Sequence, residues 1–258
     1  MQQLSNSDSQ GHLIDQLILV AGGIGSRLGT ATPKQFLPLA GRPIILRALD
    51  AFLSACSTLQ VAVVVHPDWL THWHALWATE LAALDAAATP STFDPAGHTL
   101  HVVPGGTTRT ASVLAGLQAL NASKAEPTDQ RVVAIHDAAR PLIAPAHITA
   151  LLSAARTHGS AIPVVPITDS IRELNSDGSQ SRSVDRAPIR SVQTPQCFHL
   201  PALLAAYAAA TTDFTDDASL FEAHGPSSQR LHLAPGDPAN FKVTTAADLA
   251  RADAHFSV

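Results

Sequence analysis

The sequence predicts an α/β protein built on a doubly wound, mostly parallel sheet. Short segments rich in Val, Ile and Leu recur without a polar face, as strands covered on both sides require. Longer helix-like segments separate them in regular alternation. Polar junctions carrying glycine or aspartate follow directly on the strands, at the edge of a parallel sheet where ligands bind.

Taken in order, residues 1–12 (MQQLSNSDSQGH) are polar and lack the basic-then-apolar order of a signal peptide. They read as a disordered tail ahead of a single domain, 13–258. LIDQLILVA (13–21) is the first strand and leads into a glycine-rich loop. PIILRALDAFLSA (43–55) is a helix, LQVAVVVH (59–66) a strand, and 69–86 a helix followed by a surface loop at 87–99. LHVVP (100–104), RVVAIHD (131–137) and SAIPVVP (160–166) are strands, with helices at 109–122 and 145–159 between them. The alternation breaks at residue 167. Segment 167–192 has two extended halves around Asn-Ser-Asp-Gly, a hairpin signal, and carries much charge and little core material. It reads as a protruding arm. Two short helices (201–210 and 215–224), a strand (229–236) and a helix from Thr245 complete the chain.

Composition narrows the function. With 258 residues, 46% of them hydrophobic, the chain can bury one substantial core. A net charge of −5 lacks the basic surplus of a nucleic-acid binder. No apolar run approaches the roughly 20 residues that span a bilayer. Cys56 and Cys197 lie far apart without metal-ligand spacing, which fits free thiols in a reducing, cytoplasmic setting. His72 and His74 point to different sides of their helix, and neither H-E-x-x-H nor G-x-S-x-G occurs.

Three junctions carry the chemistry. The loop after the first strand (AGGIGSRLGTATPK) fails the dinucleotide fingerprint, since Leu28 stands where the third glycine belongs, and it has no Gly-Lys-Ser/Thr. Instead Ala21, Gly22, Gly23 and Gly25 open the backbone to an anion, and Arg27 and Lys34 add two cations, which suits a triphosphate. Lysine is scarce here, at positions 34, 124 and 242 only. Lys34 and Lys242 sit in turns beside apolar segments and are therefore candidates for single phosphate oxygens. At the second junction, Gly105, Gly106, Thr107, Thr108 and Ser112 either read a base and ribose or cap the following helix. At the third, HDAARP, Asp137 either meets Mg²⁺ or a substrate hydroxyl, or forms a strand-end salt bridge; Arg140 could hold a phosphate.

Together these junctions resemble the 2-C-methyl-D-erythritol 4-phosphate cytidylyltransferase family, from about Leu17 to the final helix. The stretches that carry the resemblance are AGGIGSRLG, PKQFLPLAGRPI, GGTTRTASVLAGL, HDAARP, TDSI, VDR, QTPQCF, TDDAS and NFKVTTAADL. The resemblance implies a nucleotide-diphospho-sugar transferase-like (Rossmann-like) fold whose arm exchanges contacts in a homodimer. It implies that CTP and methylerythritol phosphate react, with Mg²⁺ or another divalent cation on the CTP. Arg27 and Lys34 would stabilise the transition state; Arg186 and Lys242 would position the polyol phosphate. Backbone from Ala21 to Gly25, with Gly105, Gly106 and Ser112, would hold cytosine and ribose. Asp137, Arg140, Ser170 and Thr194 would line the polyol pocket.

The chain departs from the family pattern at Val20 and Gly22, where proline and alanine are common, and at Ser170, where threonine is usual. It is also expected to lack the fused cyclase domain of some relatives. Two rival functions follow from the same residues: a ribitol 5-phosphate cytidylyltransferase, and a nucleotide-sensing module without catalysis. The sensor has no need of cations around an acceptor.

Overall fold

The computed structural model describes residues 15–23, 32–83, 97–121, 131–227 and 230–256. Its strands are β1 (Asp15–Ala21), β2 (Pro38–Leu39), β3 (Arg42–Pro43), β4 (Leu59–Val65), β5 (Thr99–Pro104), β6 (Val132–Asp137), β7 (Ser160–Pro166), β8 (Ile171–Leu174), β9 (Ser181–Val184), β10 (Arg190–Val192), β11 (Gln196–His199) and β12 (Leu233–Pro235). Its helices are α1 (Ile44–Ala55), α2 (Leu70–Ala83), α3 (Arg109–Asn121), α4 (Pro145–His158), α5 (Leu200–Ala209), α6 (Asp217–His224) and α7 (Ala246–His255). The predicted strands and helices up to residue 166 are all present, with ends that differ by a few residues.

β5, β4, β1 and β6 form a parallel block, with Ile18 paired to Ala62 on one side and to Ile135 on the other. β11 then runs antiparallel between β6 and β7, and β12 pairs parallel with β7. The sheet is doubly wound because alternate residues of each strand serve different cores. Leu17, Leu19, Val61, Val63 and Ala134 pack with α1, α2 and α4. Ile18, Ala62, Val64, Val133 and Ile135 pack with α3, α5 and α6. A strand apolar on both faces has nowhere to sit except between two helical layers. A third, smaller cluster joins Leu39, Ile44 and Leu142 to Val243 and Ala252, which fastens the C-terminal segment to the body.

The arm is shorter than the sequence suggests. Only β8 and β9 form the exposed hairpin, with Ile171 opposite Val184 and its turn at Gly178. The end of the expected arm, β10, returns to the main sheet, where Val192 pairs with Val164. Three residues flanked by proline and charge give no periodicity to read, so tertiary pairing decides this strand. The expected tail at 1–12 and most of the loop at 87–99 lie outside the described residues. Both cysteines are buried and free, and burial pushes the Cys56 thiol up to about 12. Among the described residues no helix is long and apolar enough to cross a membrane.

Candidate active site

A cleft of about 550 Å³ opens at the carboxyl ends of β1, β4, β5 and β6. Its walls are 20–23 at the end of β1, Lys34 and Gln35, His66 after β4, 106–109 with Ser112, 137–139, and Lys242 with Thr244. The three junctions picked out in the sequence therefore meet in one place. Among the described lining residues, Lys34, Arg109 and Lys242 are the cations and Asp137 is the acid. An anion is the ligand this balance favours.

Lys34 opens a short helical turn, Lys34–Phe36, whose other two residues are buried. That leaves Lys34 at the cleft, where its Nζ donates to Val243 O at 2.9 Å. Gln35 donates from Nε2 to Ala21 O at 2.6 Å and to Gly23 O at 2.9 Å. Arg27 and Gly25 lie outside the described residues.

At the second junction capping is present, and other residues of the same turn line the cleft. Thr108 accepts Ala111 N–H at 3.1 Å and starts α3, which is capping. The buried Ser112 hydroxyl accepts Gly106 N–H at 3.1 Å and donates to Thr108 O at 2.8 Å. It thereby pins the glycine turn to the helix while lining the cleft. Gly106 and Thr107 also face the cleft, whereas Gly105 lies behind it, donating to Val65 O at 2.7 Å.

At the third junction the salt bridge is present. Lys242 Nζ lies 2.7 Å from Asp137 Oδ2, and Arg140 Nε lies 3.9 Å from the same oxygen. Burial alone would raise the Asp137 carboxyl, but Lys242 and Arg109 hold it down at about 2. Asp137 is ionised throughout the physiological range.

Two expected pocket residues turn out to brace the floor instead. The Thr194 hydroxyl accepts Asp137 N–H and contacts His136 Nδ1, both at 3.1 Å, and His136 Nε2 faces Arg140 O at 3.0 Å. A carbonyl only accepts, so Nε2 carries the proton and Nδ1 accepts from Thr194. Burial lowers His136 to about 4, in keeping with this neutral form. The Thr194 proton is thereby committed to His136, and one lone pair to Asp137 N–H. Arg140 donates to Asn240 O at 2.9 Å and does not line the cleft. The fully buried Asn240 in turn donates to Thr194 O at 2.8 Å, so these residues form one scaffold beneath Asp137.

Ser170 and Arg186 are exposed on the arm, and neither lines the cleft of its own chain. Arg186 donates to Thr168 O. Missing from the sequence reading are Arg109, Gln35, His66 and Asn240. Arg109 pairs with Asp217 at 2.6 Å; burial opposes its charge, yet Asp217 raises it above its usual range. A signal was present for this pair, since GGTTRT and TDDAS both belong to the ordered motif set, but only distance in space shows that they meet.

A resident metal needs several oxygen, nitrogen or sulfur donors close together. No group of three His, Cys, Asp or Glu that could hold a metal occurs among the described residues. Asp137 stands with cations on three sides, which does not fit a protein-held Mg²⁺.

The family model described as 2-C-methyl-D-erythritol 4-phosphate cytidylyltransferase matches residues 16–257. A protein of Rhodopseudomonas palustris named "Bifunctional enzyme IspD/IspF" is 40% identical over 238 residues, which is 91% of this chain and 54% of that protein. A Bradyrhizobium protein of the same name is 40% identical over 244 residues, covering 93% of this chain and 56% of its own length. The chain thus spans about half the length of these curated relatives. Among solved structures, the 2-C-methyl-D-erythritol 4-phosphate cytidylyltransferase of Thermus thermophilus matches 95% of this chain and 100% of its own, at 30% identity and a TM-score of 0.66. A 4-diphosphocytidyl-2C-methyl-D-erythritol synthase of Anaerococcus prevotii shares the fold at a TM-score of 0.73 and 23% identity, over 95% of this chain and 97% of its own.

Proposed function

Because this chain belongs to the 2-C-methyl-D-erythritol 4-phosphate cytidylyltransferase family, we propose that it joins CTP to 2-C-methyl-D-erythritol 4-phosphate. The products are 4-diphosphocytidyl-2-C-methyl-D-erythritol and pyrophosphate, a step of non-mevalonate isoprenoid synthesis. One observation carries the proposal: Lys34, Lys242 and Arg109 converge on a cleft that Gly22, Gly23 and Gly106 also line. Cations suit phosphates, and exposed backbone suits a flat base and its ribose.

The polyol phosphate oxygen attacks the α-phosphorus of CTP. A new P–O bond forms as the bond to the β-phosphate breaks, and pyrophosphate carries away the electron pair. The nucleophile is already an anion, so no general base is needed. Catalysis then rests on positioning two anions and on stabilising the leaving group. We assign Lys34 to the triphosphate, a role the family resemblance also implies for Arg27; Lys242 leaves Asp137 to meet the incoming phosphate. A divalent cation such as Mg²⁺ would come with the CTP and would offset triphosphate charge, with no ligand assigned to it in this chain. A reaction that consumes CTP suits a cytoplasmic location.

Ser170 and Arg186 flank the exposed β8–β9 hairpin and do not line the cleft of their own chain. We assign them to the cleft of a partner in a homodimer, an exchange that two-fold symmetry makes reciprocal. Exposed Leu174 on the same arm supports a covered surface there.

The deciding experiment is pyrophosphate release with CTP, Mg²⁺ and either methylerythritol phosphate or ribitol 5-phosphate. Turnover is expected with the first and little with the second. Preference for ribitol 5-phosphate would move the assignment to that substrate, and CTP binding without turnover would make the protein a sensor.

A further inference from the structure

Gln35 is 3% exposed, and its amide makes both hydrogen bonds to one short piece of backbone. Ala21 O accepts at 2.6 Å and Gly23 O at 2.9 Å, one on either side of Gly22. Ala21 is the last residue of β1 to pair with a neighbour, opposite Val65. Beyond it the ladder no longer holds the chain, and the Gln35 side chain takes over.

The anchor is rigid at its own end. Phe36, the next residue, is buried in the core and stacks on Trp69 with ring centroids 5.6 Å apart. Lys34, the preceding residue, faces the cleft. One short turn therefore fixes both a phosphate-facing cation and the backbone of the glycine loop.

The geometry has an electrostatic consequence. A peptide C=O and the following N–H point in opposite directions. With Ala21 O held on Gln35, Gly22 N–H turns the other way. Two carbonyl oxygens, each a partial negative charge, are committed to an amide donor and withdrawn from an anionic ligand.

We propose that Gln35 is a positioning residue for CTP, acting through the backbone at 21–23; this rests on the cytidylyltransferase reading. It touches no reacting atom. It sets which face of the loop peptides meets the nucleotide and keeps that face in register with Lys34.

The test uses the full chain, the variants Gln35→Leu and Gln35→Glu, and CTP as the probe. CTP binding is measured by calorimetry, hydrogen exchange of the peptide spanning 17–23 is followed without ligand, and KM is measured for each substrate. Losing two hydrogen bonds should weaken CTP binding by about tenfold or more in Gln35→Leu. Exchange over 17–23 should rise, and KM for the polyol phosphate should stay within about twofold on the same scale. Unchanged CTP affinity, or an equal rise in both KM values, overturns the inference.

Gln35→Glu covers the case in which the leucine variant does not fold. Its carboxylate repels two carbonyl oxygens, whereas its protonated form donates to one. CTP affinity relative to the parent should therefore recover as pH falls from 8 toward about 5.5, nearer the carboxyl range; a flat ratio overturns the inference. If the parent binds CTP but releases no pyrophosphate, the proposed reaction fails while the binding ratios still decide the role of Gln35.

Discussion

Lys242 Nζ and Asp137 Oδ2 stand 2.7 Å apart, although 105 residues separate them in the chain. The contact pairs one of the cleft's cations with its acid. An incoming phosphate offers Lys242 a second anion, so the pair is an exchangeable one.

Lys242→Gln should raise KM for the polyol phosphate by about tenfold or more, as loss of a charged hydrogen bond does. KM for CTP should change much less. It should also let the Asp137 carboxyl titrate higher, because Lys242 is the leading cause that lowers it. Substrate kinetics together with carboxyl NMR check both; loss of CTP affinity alone would reject this role.

Acid stability should show two separate windows. His136 is lowered to about 4 by burial, so the unfolded chain takes up its proton first. Its contribution is complete above about 6.5 and is lost as pH falls toward 4. Asp137 is held at about 2, so its contribution persists to about pH 4 and fades only below that. His136→Gln should flatten the upper window and Asp137→Asn the lower one. Each window is worth roughly 3 kcal/mol, because a tenfold change in proton affinity corresponds to about 1.4 kcal/mol. Urea unfolding between pH 2 and 7 is the measurement, and parallel curves for parent and variants would contradict it.

Lys34→Ala should lower kcat by about 100-fold or more, since a donor matched to developing charge is lost. The fold should persist, at a cost of about 1 kcal/mol for the hydrogen bond to Val243 O. Single-turnover rates and thermal melting separate the two effects. A fall in melting temperature large enough to explain the rate would count against a catalytic role.

Gly22 and Gly106 should respond differently to alanine. A Cβ on Gly22 would meet Ser112 Oγ at 3.4 Å, an ordinary contact, so Gly22→Ala should stay within about 0.5 kcal/mol. A Cβ on Gly106 would lie 2.5 Å from Ala111 Cβ and 3.1 Å from its backbone carbon, which forces α3 to move. That overpacking should cost about 1–3 kcal/mol and weaken CTP binding. Equal tolerance at both positions would show that the α3 junction is looser than its contacts imply.

The exchanged arm makes a quantitative claim. When Lys34→Ala and Arg186→Ala subunits are unfolded, mixed and refolded, about half of randomly paired dimers are hybrids. If Arg186 serves the partner's cleft, each hybrid has one intact site, and about a quarter of parental activity returns. If it serves its own cleft, every site is defective and none returns.

The doubly wound core was legible because burial leaves a mark on every strand. β1 and β4 are apolar at nearly each position, and that pattern has one structural solution. β10 and β11 left no such mark: RSV and QCFH are too short for a period, and their strand character comes from β7 and β6. At the site, glycine, lysine and aspartate next to strand ends marked the lining backbone, Lys34, Asp137 and Lys242. Arg109 looked like one arginine among thirteen. Its distinction is the pairing with buried Asp217, 108 residues later. Thr194 shows the opposite limit. Its hydroxyl is chemically fit for a ligand, but the backbone of Asp137 and the ring of His136 claim it first.

The segment around Val243 gives biosynthesis an order of events. Val243 N–H donates to Ala139 O at 2.8 Å, Lys34 reaches Val243 O, and Asn240 supports Thr194 from beneath. A ribosome that has translated as far as Phe241 has made every described strand, yet neither Lys242 nor Val243. The strands thus precede the cleft's last cation in order of synthesis. A protease cutting just after Phe241 would return the molecule to that unfinished condition. The enzyme would keep every described strand and lose the Lys242 charge at the cleft.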